Sequence, residues 1–160
     1  MQVKIIASVQ IPMSPEEVFD YVMDLNNLCK VFRGKGPIPA IEKMEVEGGG
    51  PLKVGAVRLT TMSDGSVLEE DILVYERGRC NRYRIERGFK PPLSLLVRWG
   101  EGEFLFTQNA GATQVVWNYT FELTTPLVYP LAALILKVFM RGALQEALDG
   151  TRDNMIAGEG

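Results

Sequence analysis

The chain has 160 residues, of which 46% are hydrophobic and 23% charged, with a net charge of −3 and no histidine. That balance suits one globular domain over 1–160 with a real core, and it gives no reason to expect nucleic acid as a partner. The missing histidine excludes Ser-His-Asp and Cys-His machinery and any histidine-ligated metal. Cys29 and Cys80 are too few for a four-cysteine zinc site, so neither a metal nor another cofactor is expected.

Residues 2–11, QVKIIASVQI, alternate as a strand with Val3, Ile5, Ala7, Val9 and Ile11 on one face. This start has no apolar signal-peptide core, so the two cysteines read as free thiols and the expected location is cytoplasmic. Ser14-Pro15-Glu16-Glu17 combines an N-cap hydroxyl, a first-position proline and two acids, which predicts a helix over 14–23. A second short helix is predicted from Leu25 or Asn26 to Phe32 (26–32 by the later start). Strands follow over 40–47, 54–62, 67–75, 81–87, 95–108 and 113–123, separated by glycine-bearing turns. Gly48-Gly49-Gly50 with Lys53 is not a phosphate loop, because it leads into a strand and lacks the Gly-Lys-Ser/Thr that opens a helix. Arg77, Arg79, Arg82, Arg84 and Arg87 alternate with Glu76 and Glu86 and read as a solvated strand face.

From Pro126 to Gly158 the spacing predicts one long helix that continues through Gly142. Ala133, Leu136, Met140, Ala143, Leu144, Ala147, Thr151 and Met155 share its apolar face; Lys137, Arg141, Gln145, Asp149 and Arg152 share the other. Leu131, Leu134, Ile135 and Val138 make the first half oilier than one buried face requires. Lys137 and Arg141 interrupt the run too early for a transmembrane span, so none is expected. Cover by loops or another helix is the expected account of the excess. A homodimer or membrane-surface contact near those four residues is the alternative.

The element order is one strand, two short helices, six antiparallel strands and a long helix, which is an α+β meander. That order, the opening IPMSPEEVFDYVMDLNNLCKVF, the late GATQVVWNYTFELTTP and the C-terminal helix resemble the pollen-allergen/START superfamily, in its bacterial polyketide cyclase/dehydrase-like branch. The resemblance covers essentially the whole chain. It implies a helix-grip fold, a curved seven-stranded antiparallel sheet wrapped around the long helix, with a cavity for an apolar ligand between them. Superfamily members include lipid carriers, hormone receptors and aromatic-ring cyclases, so the fold does not name the activity.

Pairing the last two strands about the 109–112 turn puts Phe104, Phe106, Val115, Trp117, Tyr119, Phe121 and Leu123 on one face, with Gly102 opposite Tyr119 and Gly100 opposite Phe121. That face is expected to be concave, and its glycines suit either a strongly bent sheet or room for a ligand. The expected ligand-binding residues are Phe104, Phe106, Trp117, Tyr119, Phe121, Leu136, Met140 and Ala143. The alternative is that the aromatics fill the interior and leave no useful cavity. Arg58, Glu70 and Tyr83 are the candidate acid–base groups, with Glu70 on a face with Leu68, Ile72 and Val74; whether they point inward depends on register. Two function classes follow. One is a carrier or sensor of a hydrophobic small molecule, lipid-like or polycyclic. The other is a cyclase or dehydratase-type enzyme using Glu70, Tyr83 or Tyr119 as proton shuttle with Arg58 holding an oxyanion.

Overall fold

The computed structural model describes residues 1–158; the last two positions of the expected 1–160 domain lie outside the described residues. Strand β1 (Gln2–Ile11) is followed by helices α1 (Pro15–Met23) and α2 (Asn27–Val31). Strands β2 (Ile41–Val46), β3 (Val57–Met62), β4 (Val67–Glu76) and β5 (Cys80–Arg87) come next. Helix α3 (Leu93–Leu96) precedes β6 (Val97–Asn109) and β7 (Ala112–Leu123), and a helix over Pro126–Ile156 closes the chain.

The seven strands form one antiparallel sheet in the order β1-β7-β6-β5-β4-β3-β2. The meander from β2 to β7 is therefore closed at one edge by β1, whose ten residues pair along β7 from Gln2–Glu122 to Ile11–Thr113. The β6–β7 register places Phe104 opposite Trp117, Gly102 opposite Tyr119 and Gly100 opposite Phe121, as the 109–112 turn requires. Inward residues alternate without a break along β7, so one face of each late strand is wholly core. This is the helix-grip fold: the sheet curves around the C-terminal helix, which buries Leu136, Ala143, Leu144, Ala147 and Leu148 against it.

Ser14 caps α1 by accepting a hydrogen bond from the Glu17 N–H at 3.3 Å, and Thr125 caps the C-terminal helix by accepting one from the Leu127 N–H at 3.4 Å. The C-terminal helix is continuous through Gly142. It opens with a 3-10 turn at Pro126–Val128, is α-helical over Tyr129–Leu134, widens to π-helical geometry over Ile135–Met140, and returns to α over Arg141–Ile156. Gly142 has a packing reason. A methyl group there would meet the Lys35 stem, which crosses the helix at this point to reach Glu146 at 2.7 Å.

Five expectations need correction. The second helix is shorter at both ends than 26–32. Strand β3 begins at Val57 and not at residue 54, because Lys53–Ala56 close a turn through Gly55, whose φ of 89° suits glycine. Residues 93–96 form α3 instead of the start of a strand; Pro92 sets the helical turn, and Thr124 ties it down by donating its hydroxyl to the Leu95 carbonyl at 2.8 Å. A bulge between Ile72 and Val74 changes the parity of β4, so Tyr75 and not Val74 continues the inward face, its ring 5.2 Å from Phe19. Finally, no described loop or helix covers the oily stripe. Ile135 is buried, but Leu131, Leu134 and Val138 stay half-exposed and Leu127 is 89% exposed. By length and composition this helix could cross a membrane, yet its inner face is the centre of the core.

The basic run is neutralised locally. Arg77 pairs with Asp20, Arg79 with Glu76, Arg82 with Glu103, Arg84 with Glu86 and Arg87 with Glu69. Both cysteines are free thiols.

Candidate functional site

The inward positions of β3 alternate Arg58, Thr60, Met62, and all three are buried. Register brings Glu70 of β4 directly opposite Arg58 and Ile72 opposite Tyr83 of β5. Tyr83 in turn faces Gly102 of β6, which faces Tyr119 of β7. One polar band thus crosses five strands on the concave face.

Arg58 Nε donates to Glu70 Oε1 at 2.5 Å, with both side chains almost fully buried. The guanidinium also lies over the Tyr83 ring, 4.7 Å from its centroid. Trp117 Nε1–H donates to the Tyr83 hydroxyl at 3.1 Å, and the Tyr83 and Tyr119 hydroxyls share a hydrogen bond of 2.6 Å. Burial, then the negative charge of Glu70, pushes the Tyr83 pKa well above that of an ordinary phenol. Burial and then Tyr83 itself do the same to Tyr119. Burial pulls the Arg58 pKa down, but Glu70, Tyr83 and Tyr119 together outweigh it and hold the guanidinium charged. The band therefore contains the Arg58–Glu70 salt bridge and two phenols that stay neutral at neutral pH.

These groups line a cavity of about 60 Å3 between the sheet and the C-terminal helix. Its other walls are apolar, among them Phe32, Met44, Met62, Ile85, Leu136 and Met140. The wall becomes solvent-exposed at Asp64 and Lys90, beside the half-buried Phe89 and Leu93, and this rim is its mouth.

Of the expected ligand-binding residues, Trp117, Tyr119, Phe121, Leu136 and Met140 line the cavity. Phe104, Phe106 and Ala143 do not. Phe104 stacks on Trp117 at 4.4 Å and Phe106 packs edge-on against Phe19 at 5.1 Å, so both fill core behind the cavity wall. The glycines opposite the aromatics make room for rings and not for a ligand. A methyl on Gly102 would run into the Tyr83 ring, and one on Gly100 would meet Phe121 at 2.9 Å. Arg58, Glu70 and Tyr83 all point inward and meet. Sequence reasoning missed Thr60, Met44 and Met62; the alternation of Arg58, Thr60 and Met62 was the available signal once Arg58 was assigned inward. Among the described residues no group of three His, Cys, Asp or Glu side chains is placed to hold a metal.

Residues 2–155 match the family described as polyketide cyclase/dehydrase and lipid transport. The chain belongs to this family. No curated protein matches it by sequence. Among solved structures, a protein of Thermus thermophilus superposes with a TM-score of 0.73 at 20% identity, covering 99% of this chain and 100% of that one. Ginseng major latex-like protein 151 from Panax ginseng gives 0.67 at 15% identity, covering 99% and 97%. Norcoclaurine synthase from Thalictrum flavum, in complex with dopamine and hydroxybenzaldehyde, gives 0.69 at 14% identity, covering 100% and 90%. At these identities the likeness speaks for the fold alone, and the family spans both carriers and enzymes.

Proposed function

We propose that the chain binds a hydrophobic small molecule, lipid-like or polycyclic, in this cavity, as a cytoplasmic carrier or sensor. The observation that supports it most is the composition of the wall: inside a rim formed by Asp64, Ser66 and Lys90 the side chains are apolar except for one polar band whose opposite charges are already paired. The cavity of about 60 Å3 is smaller than the roughly 300–1,000 Å3 of pockets for drug-sized ligands. Uptake therefore requires side chains to move, and Met44, Met62 and Met140 are the adaptable part of the wall. Native mass spectrometry of protein purified from cells should show a bound apolar species that organic extraction releases. Protein that is ligand-free and takes up no apolar probe would contradict the proposal.

For such a carrier, the exposed Leu131, Leu134 and Val138, next to Lys137 and Arg141, are a face suited to an anionic membrane surface. Co-sedimentation with anionic vesicles tests this, and self-association on sizing without sedimentation would reassign the face to a dimer contact.

A second reading, a cyclase or dehydratase-type enzyme acting on a polyketide-like substrate, is favoured by the Tyr83–Tyr119 pair beside Arg58 and Glu70. There a neutral phenol would polarise a substrate carbonyl. The weakness of this reading is the base: Glu70 Oε1 is held by Arg58, and both phenols keep their protons at neutral pH.

A further inference from the structure

Three buried side-chain polar atoms have no partner among the described residues, Tyr21 Oη, Thr60 Oγ1 and Asn81 Oδ1; Arg84 Nε makes no well-aligned hydrogen bond but lies 2.9 Å from Glu86 Oε1. Only Thr60 belongs to the cavity wall, and it is 0% exposed. A buried hydroxyl without a partner is costly, and nothing in the strand pairing demands one here, because valine has the same shape and suits a strand better.

The tyrosine pair has a matching surplus. Tyr83 Oη accepts from Trp117 and shares one hydrogen with Tyr119. Two phenols carry two hydrogens, and their mutual bond uses one. Whichever way that bond points, the second phenolic hydrogen has no acceptor among the described residues. The cavity wall therefore presents two unused O–H donors, one from Thr60 and one from the Tyr83–Tyr119 pair. The adjoining Arg58–Glu70 pair adds no net charge.

Resting on the ligand-binding reading above, we propose that the ligand carries an uncharged oxygen acceptor, a ketone, ester or lactone carbonyl, held by Thr60 Oγ1 and the free hydroxyl of the Tyr83–Tyr119 pair. A carbonyl oxygen has two lone pairs and can accept from both donors. Because Arg58 already faces Glu70, a carboxylate ligand would lose its hydration beside a fixed negative charge, and an ammonium ligand would lose its hydration beside a fixed positive one. The high pKa values of both phenols keep them as donors across the physiological range. The site thus selects neutral oxygenated ligands over both hydrocarbons and acids.

Equilibrium dialysis with three probes of one skeleton tests this: 2-acetylnaphthalene, 2-ethylnaphthalene and 2-naphthoate. The ketone should bind about tenfold or more tighter than the hydrocarbon, with the carboxylate weakest. Thr60→Val and the double variant Tyr83→Phe/Tyr119→Phe, needed because either phenol alone still presents one unused hydrogen, should each lower ketone affinity relative to hydrocarbon affinity by about three- to tenfold, with circular dichroism showing that the variants are folded. Equal binding of ketone and hydrocarbon, a preference for naphthoate, or a ketone preference that survives in both variants would overturn the assignment while leaving the cavity a binding site. Failure of all three probes to bind would overturn the ligand-binding reading itself, and this inference with it.

Discussion

The hydroxyls of Tyr83 and Tyr119 meet at 2.6 Å although their strands are not neighbours, since β6 runs between β5 and β7. Gly102 is the residue of β6 that lies between them, opposite Tyr83 on one side and Tyr119 on the other. With no side chain there, the Tyr83 ring leans across the intervening strand. The contact that organises the polar band depends on one missing methyl group.

Gly102→Ala should therefore be destabilising by about 1–3 kcal/mol, the usual cost of forcing a methyl group into a packed core. Urea unfolding at neutral pH measures it. Wild-type stability in this variant would mean that the Tyr83 ring does not occupy the space above residue 102.

Alkaline pH should unfold the protein through the same pair. Each phenol has a higher pKa in the folded chain than in the unfolded one, so above about pH 10, the ordinary value for a phenol, the unfolded state binds fewer protons than the native state. Stability is fully present below that pH. It falls as pH rises, by up to about 1.4 kcal/mol per pH unit for each tyrosine until its folded pKa is passed. A spectrophotometric titration should show at least two of the five tyrosines ionising only with loss of the near-ultraviolet circular dichroism signal. Free ionisation of all five in folded protein would contradict the burial of Tyr83 and Tyr119.

Removing one member of the Arg58–Glu70 pair leaves the other buried without its partner. Glu70→Leu alone should cost about 3–5 kcal/mol, and Arg58→Met alone a similar amount. The double variant should lose much less than the sum, because it leaves no buried charge. A double-mutant cycle in urea measures the coupling, and additive losses would show that the two side chains do not depend on each other.

Thr60→Val should leave the unliganded protein as stable as the parent or raise its stability by up to about 1–2 kcal/mol, since it deletes a buried hydroxyl that has no partner. Such a gain, set against weaker ketone binding, is the trade expected of a residue kept for a ligand. A loss of more than about 1 kcal/mol would point to a hydrogen bond that Thr60 makes within the fold.

The two faces of the C-terminal helix should respond differently. Leu136→Ala, in the core, should cost about 2–5 kcal/mol. Leu131→Ser and Leu134→Ser, half-exposed, should each change stability by less than about 1 kcal/mol in dilute protein. Thermal unfolding compares them, and equal losses at all three positions would mean that something covers the outer stripe.

Strand periodicity, helix caps and turn glycines are local quantities, and they determined the succession of the seven strands, the β6–β7 register and the continuity of the helix through Gly142, though not the short α3. The inward aromatic stripe of β7 was legible for the same reason: alternation fixes which side chains share a face. What lies across that face is a matter of tertiary structure. Alternation could not say that Phe104 and Phe106 pack behind the cavity wall while Trp117 and Tyr119 line it, because that depends on where α1 and its Phe19 dock. Nor could it say that the bulge after Ile72 turns Tyr75 inward in place of Val74. Arg58 and Glu70 are ordinary surface residue types in a strand, and only the pairing of β3 with β4 under the helix makes them a buried ion pair. Burial is a property of the assembled sheet and helix. The same assembly leaves the Thr60 hydroxyl without a partner, and only there does it become informative.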